Sequence, residues 1–271
     1  MGTSNGSPAD TAFVGCGNLG MAILSRAVRA GVLAPAQTVV VEHDAGRRAE
    51  AAAMGVHATA DASAARGART VVLAVKPQHF EDAARAVGPL TDATCVISVM
   101  AGWSSAAIRA ALGNGPRVLR AMPNTPAQVG MAMTALARGA GATADDLAHA
   151  TRLFAAVGST CEIREDQIDA AVAAVGSAPA YLFLLAEAQI AAAVRMGIDP
   201  ETARRMATQT MLGAATLMAT DERTPQELRA AVTSAGGTTA AAVRVLEAHG
   251  FTGAVGEAMD AARARSAELG R

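Results

Sequence analysis

The feature that most restricts this chain is a change in its hydrophobic pattern part-way along. Six short apolar runs lie in the first part, at Thr11–Gly15, Thr38–Glu42, Thr70–Val75, Thr94–Met100, Arg117–Met122 and Thr160–Ile163. Helical stretches alternate with them at Leu19–Ala30, Arg47–Met54, Gln78–Val87, Ser104–Leu112 and Ala144–Val157. The runs are rich in valine and lack polar alternation, as strands covered on both faces of a parallel sheet must. Such a series predicts a doubly wound α/β domain. After Gln167 the strand pattern ends. Helices alone are expected, at Ala178–Met196, Pro200–Ala219, Pro225–Val232, Gly237–His249 and Gly253–Leu269. Pro200 and Pro225 stand at helix N-termini, where a missing N–H costs nothing.

The first run ends in VGCGNLG, which places glycines at 15, 17 and 20 directly before a helix. Gly15 permits the tight turn, Gly17 lets backbone approach a pyrophosphate, and Gly20 lets helix and strand pack closely. A strand before, a helix after and a second strand about 20 residues on make this a Rossmann-like dinucleotide loop. The second run ends at Glu42, where an acidic side chain would accept hydrogen bonds from an adenosine ribose. His43, Arg47 and Arg48 follow, and cations there would suit a 2′-phosphate instead. The sequence leaves that choice open.

Two more loops follow expected strands, AVKPQ (Ala74–Gln78) and RAMPNTP (Arg120–Pro126). Ligands of open α/β sheets lie beyond the carboxyl ends of the strands, so both loops should border the cofactor crevice. In the helical half, TSAGGTT (Thr233–Thr239) leads into a helix. Its glycines and hydroxyls suit a carboxylate-binding nest of backbone N–H groups, or equally a helix start capped by Thr238 or Thr239.

Composition closes off other classes. In 271 residues, 51% are hydrophobic and 17% charged, which excludes disorder. Twenty-three basic against 24 acidic residues leave a net charge of −1, and 3% aromatics offer no stacking platform, so no nucleic-acid partner is expected. Three separated cysteines and five histidines without ligand spacing predict no metal site. The N-terminus lacks the charged and apolar regions of a secretory signal, so a flexible leader at 1–10 and a cytoplasmic location are expected. The apolar run Ala170–Ala186 contains Gly176 and Pro179, expected to interrupt it short of a membrane span. The Tyr181–Arg195 segment is apolar nearly all round and calls for cover on several sides, by a partner subunit or, alternatively, as the central helix of a monomeric bundle.

GCGNLG, AVKPQ, RAMPNTPAQVG, GSAPAY, ATQTMLGAA, TSAGGTTAA, LEAHGF and AARARSAEL stand in the order and spacing of one family. The chain resembles pyrroline-5-carboxylate reductase from roughly Thr11 to Leu269. The resemblance implies an α/β fold: an N-terminal Rossmann-like, mainly parallel sheet at 11–165, then an all-helical C-terminal dimerisation domain at 166–271. It implies NADPH, with NADH admitted, as cofactor for reducing 1-pyrroline-5-carboxylate to L-proline. It also implies homodimers through the C-terminal helices, often in rings such as a decamer, with no membrane partner.

Carried over by motif, Gly15, Cys16, Gly17, Asn18, Leu19 and Gly20 should hold the pyrophosphate, with His43 near the ribose. Ala74, Val75, Lys76, Pro77, Ala101 and Asn124 should line the nicotinamide half. Glu165, Ser234, Gly236, Gly237, Thr238 and Thr239 should bind substrate, with Thr239 the catalytic candidate beside the ring nitrogen. The chain departs from the family pattern at Val172, Val175 and Ala178, where hydroxyls and a glycine are usual, at Ala235 for proline, and at Ala132 for glycine. Two alternatives stay open: a reductase of another cyclic imine, and a non-catalytic NAD(P)-binding paralogue.

Overall fold

The computed structural model describes residues 9–269; the expected leader at 1–10 lies outside that range except for Ala9 and Asp10. By packing, the chain divides into two units. One runs to Pro179 and includes the chain from Ala261; the other is Ala180–Asp260.

The first unit is built on one eight-stranded sheet. Its strands are β1 (Thr11–Val14), β2 (Thr38–Val41), β3 (His57–Thr59), β4 (Thr70–Leu73), β5 (Cys95–Ser98), β6 (Arg117–Met122), β7 (Ala132–Arg138) and β8 (Gly158–Glu162). They lie in the order β3-β2-β1-β4-β5-β6-β7-β8. Every neighbouring pair is parallel except β6 with β7. The sheet is therefore mainly parallel and doubly wound, with the chain reversing outward from β1 to β4, which opens a crevice beyond their carboxyl ends.

Helices α1 (Asn18–Arg29), α2 (Ala45–Ala52), α3 (Phe80–Val87), α4 (Ser105–Ala111) and α5 (Ala144–Ala155) cover this sheet. Alternate strand residues divide between two cores. Phe13, Val40 and Leu119 join Ile23 and Leu24 of α1 and Phe154 of α5 on one face. Val14, Val71 and Val118 join Phe80 and Val87 of α3 and Ile108 of α4 on the other. Strands β1, β2, β4 and β5 are buried at every position. That is why they read as largely apolar runs without polar alternation.

Two strands were not expected. His57–Thr59 is a three-residue, partly exposed edge, and Ala132–Arg138 is alanine-rich.

From Ile168 the chain is helical: α6 (Ile168–Ala171), a π-helical turn at Val172–Gly176, then α7 (Ala178–Arg195). The Ser177 N–H donates to Val172 O, five residues back, at 2.8 Å. Gly176 and Pro179 therefore do not end the helical path, contrary to the sequence expectation. The wider turn absorbs the proline, whose missing N–H and bulky ring conflict with a regular α-turn. Among the described residues, this one path, Glu165–Arg195, is long and apolar enough to cross a membrane.

The second unit contains most of α7, then α8 (Pro200–Thr220), α9 (Pro225–Ala231), α10 (Thr238–Ala248) and the first part of α11 (Phe251–Leu269). Asp199 and Thr224 cap α8 and α9 by accepting N–H groups, with Pro200 and Pro225 at the first helical positions. The last turns of α11 belong to the first unit, where Ser266 Oγ donates to Asp169 Oδ1 at 2.6 Å.

Candidate active site

A crevice of about 650 Å³ opens beyond the carboxyl ends of β1, β2 and β4. The glycine loop forms its floor. Gly15 has φ +83, and a Cβ there would lie 2.9 Å from both Ala74 O and Val75 N. A Cβ on Gly20 would press on Gly15 O at 3.1 Å and Ala74 Cβ at 3.2 Å. Gly17 is the N-cap of α1, with no side-chain cap hydrogen bond. An uncapped helix N-terminus behind a glycine turn whose one side chain, Cys16, is buried fits a pyrophosphate. Cys16 is buried between these glycines; burial first, then the Glu42 charge, push its thiol up to about 12. It stays neutral.

The end of the crevice beyond β2 is more defined than the sequence allowed. Glu42 Oε2 accepts the Cys16 N–H at 2.7 Å, and Oε1 accepts the Asp44 N–H at 3.0 Å. The carboxylate thus turns inward onto the glycine loop. Partial burial opposes its ionisation, but the N–H groups of Asp44, Cys16 and His43 and the Arg47 charge outweigh that and hold it below the usual carboxylate range. Arg48 Nη1 donates to the carbonyls of Glu42 and His43. Arg47 reaches back to Asn18 Oδ1 at 3.3 Å, close over Gly17. His43 lines the crevice mouth, exposed.

On the far side, Ala74, Val75 and Lys76 line the crevice, joined by His79 and Asp82, which the sequence reading did not single out. They lie one helical turn apart just past AVKPQ, and only the fold shows that this turn leans over the crevice. Pro77 O accepts the Trp103 indole N–H at 3.1 Å, and Trp103 packs edge-on against Phe80 with centroids 4.6 Å apart. This brace fixes the Lys76–Pro77 segment. Ala101 follows β5 and packs beside Met122 and Ile168. The Asn124 amide oxygen accepts the Met133 N–H at 3.1 Å, tying the MPNTP turn to β7.

Glu165 sits apart from the crevice lining. Ser105 donates both its N–H and its hydroxyl to the two carboxylate oxygens at 2.7 Å, so Glu165 anchors the start of α4. Arg120 of β6 is also buried, with Nε and Nη2 unpartnered among the described residues.

In the second unit, Gly236 has φ +73 and Gly237 is the N-cap of α10, with no side-chain cap. Thr238 and Thr239 are the first two helical residues, so neither is the cap. A Cβ on Gly237 would meet Ser234 Oγ at 2.5 Å. Ser234 O accepts the Gly237 N–H at 3.0 Å. The loop therefore presents an open helix N-terminus framed by hydroxyls, the nest that suits a carboxylate.

Known proteins match this arrangement along its length. Residues 165–269 match the family described as pyrroline-5-carboxylate reductase dimerisation, and residues 10–102 match NADP oxidoreductase coenzyme F420-dependent. A pyrroline-5-carboxylate reductase from Synechocystis sp. is 38% identical over 96% of this chain and 97% of its own length. The chain belongs to the pyrroline-5-carboxylate reductase family. A solved structure of a reductase of this name from Coxiella burnetii superposes with TM-score 0.88 at 34% identity, covering 97% of this chain and 99% of that one. A Plasmodium falciparum pyrroline carboxylate reductase with NADP bound shares the fold, with TM-score 0.88 at 24% identity over 98% and 99% of the two chains.

The departures from the family pattern now have places. Val172 and Val175 fall in the π-turn, where Gly176 packs so that a Cβ would lie 3.2 Å from Met122 Sδ. Ala132 is tolerated because Asn114 is the only non-glycine with positive φ among the described residues. The glycine required there belongs to the adjacent strand. Gly158 has φ +150, and a Cβ on it would collide with the Ala132 backbone.

Proposed function

We propose that this enzyme reduces 1-pyrroline-5-carboxylate to L-proline with a reduced nicotinamide dinucleotide, the last step of proline biosynthesis. The reading rests above all on the match to a named reductase over 96% of the chain. The glycine loop supports it, because Gly15 and Gly20 let the turn pack against Ala74 and Val75, and Gly17 starts α1 without a side-chain cap.

When bound, the dinucleotide supplies hydride to C5 of the imine; the chain's own residues position and polarise. The loop from Gly15 to Gly20 holds the pyrophosphate, and Ala74 to Pro77, Ala101 and Asn124 border the nicotinamide half. Amides at Gly236 to Thr239 take the substrate carboxylate and fix which ring face is presented. The Thr239 hydroxyl hydrogen-bonds the ring nitrogen, which must hold a proton in the product amine. As a hydroxyl, that group positions or relays the proton rather than supplying it as a strong acid. Glu165 acts in this scheme through Ser105, by orienting α4. The protein works in the cytoplasm as a dimer or a ring of dimers.

The decisive assay is the decay of NADH and NADPH absorbance with 1-pyrroline-5-carboxylate and, in parallel, its six-membered homologue. Faster decay on the five-membered imine supports the proposal. Preference for the six-membered ring would favour another cyclic imine, a second reading motivated by Val172, Val175 and Ala178. Cofactor binding without decay on either imine would leave a non-catalytic paralogue.

A further inference from the structure

We propose that Glu42 makes this crevice select NADH over NADPH, its carboxylate standing where a 2′-phosphate would have to lie. The inference rests on the reading of the crevice as a dinucleotide site and deepens it. In a sheet wound in this order, the adenosine ribose lies at the carboxyl end of the strand next to β1. That strand is β2, and Glu42 is the residue that follows it.

Both carboxylate oxygens are fixed by backbone. Cys16 N–H donates to one at 2.7 Å and Asp44 N–H to the other at 3.0 Å. Neither bond can be released by rotating a side chain on the donor. An ionised carboxylate offers about four acceptor positions, so capacity remains for the two ribose hydroxyls of NADH. A 2′-phosphate offers oxygens instead of a hydroxyl donor and brings a second negative charge against the first.

The nearby cations do not reverse this. Arg48 is committed to the carbonyls of Glu42 and His43 at 2.8 and 2.6 Å. Arg47 lies over Gly17 and bonds Asn18 at 3.3 Å, on the pyrophosphate side of the loop. The pyrophosphate, common to both cofactors, takes that charge. The NADPH implied by family resemblance thus gives way to NADH in this chain.

The test is calorimetric binding, independent of turnover. NAD⁺ and NADP⁺ are titrated into the wild-type protein, alongside 5′-AMP and adenosine 2′,5′-bisphosphate, which isolate the ribose end. NAD⁺ should bind at least about tenfold more tightly than NADP⁺, equivalent to about 1.4 kcal/mol. Glu42→Gln keeps an acceptor but removes the charge, and should bring the ratio close to one by raising NADP⁺ affinity. Arg48→Ala should leave the ratio unchanged, whereas a 2′-phosphate ligand would show itself as a selective loss of NADP⁺. Wild-type protein that binds NADP⁺ as tightly as NAD⁺ would overturn the proposal, and so would a ratio that Glu42→Gln does not move. In either case the dinucleotide reading survives. Wild-type protein that binds neither cofactor would sink the dinucleotide reading itself.

Discussion

Gly15 and Gly17 sit two residues apart in one loop, yet they are glycines for different reasons. At Gly15 the backbone itself demands it: φ is +83, and a Cβ would press on Ala74 O and Val75 N, which cannot move aside. Gly15→Ala should lower stability by about 1–3 kcal/mol, visible as a drop in Tm even without cofactor. At Gly17 φ is −66, and the nearest atom to a Cβ is the flexible end of Arg47 at 3.0 Å. Gly17→Val should therefore fold with nearly wild-type Tm while an NAD(P)H titration goes flat, because the side chain occupies the pyrophosphate's approach. Equal destabilisation by both, with binding retained in the valine variant, would contradict this division of roles. Thr239→Ala belongs to the same scale. Losing the hydroxyl proposed to partner the ring nitrogen should reduce kcat about tenfold while cofactor affinity stays put. Unaltered turnover would remove Thr239 from the mechanism.

Among the helices, α5 is pinned to the sheet by one carboxylate. Asp146 accepts the Thr143 N–H and hydroxyl at 2.9 Å as half of a capping box, and takes Arg117 Nε and Nη2 at 2.8 and 2.9 Å. The Arg117 hydrogen bond is the chief reason its carboxyl lies far below the usual range, with the Thr143 bonds adding to it against the cost of burial. A depressed folded-state pKa means stability that is fully present above about pH 4, the unfolded value. It is then lost as acid protonates the folded carboxyl. Asp146→Asn should cost about 2–4 kcal/mol at neutral pH, and the gap to wild type in urea melts should narrow steadily below about pH 4. A gap independent of pH would assign the loss to packing. The same elements show what was legible in the sequence. The fully buried strands announced themselves because, apart from a threonine at the start of β1, β2 and β4 and Ser98 at the end of β5, their positions are apolar. His57–Thr59 did not, since a short exposed edge needs no apolar run, and Ala132–Arg138 did not, since alanine favours helix until its neighbours impose a strand. The glycine loop was legible as local backbone chemistry. The inward turn of Glu42, the Glu165–Ser105 anchor and the π-turn at Val172–Gly176 were not, because each depends on partners distant in the chain or on a hydrogen-bond choice that composition does not reveal.

The whole molecule presents more apolar surface than a single chain can keep in water. Leu182, Phe183 and Leu184 are consecutive on α7 and are 59, 61 and 67% exposed, and Met196 at its end is 80% exposed. Three consecutive helical residues cover more than half the circumference, about 100° each, so no single neighbouring helix within the chain hides them. Patches of this kind mark interfaces, and residues 165–269 match a dimerisation family, which accounts for the long apolar path better than a membrane does. Light scattering of the purified protein should give at least twice 27.2 kDa. Phe183→Asp combined with Leu184→Asp places charges in that contact and should shift the mass to a single chain. All residues lining the dinucleotide crevice belong to the first unit. The monomeric variant should consequently retain cofactor affinity within about threefold, since no residue lining the crevice is changed, while imine-dependent turnover falls with the loss of the helical assembly. A variant that stays dimeric would place the interface elsewhere on the helices. One that becomes monomeric and keeps full turnover would show that the catalytic arrangement is complete within one chain.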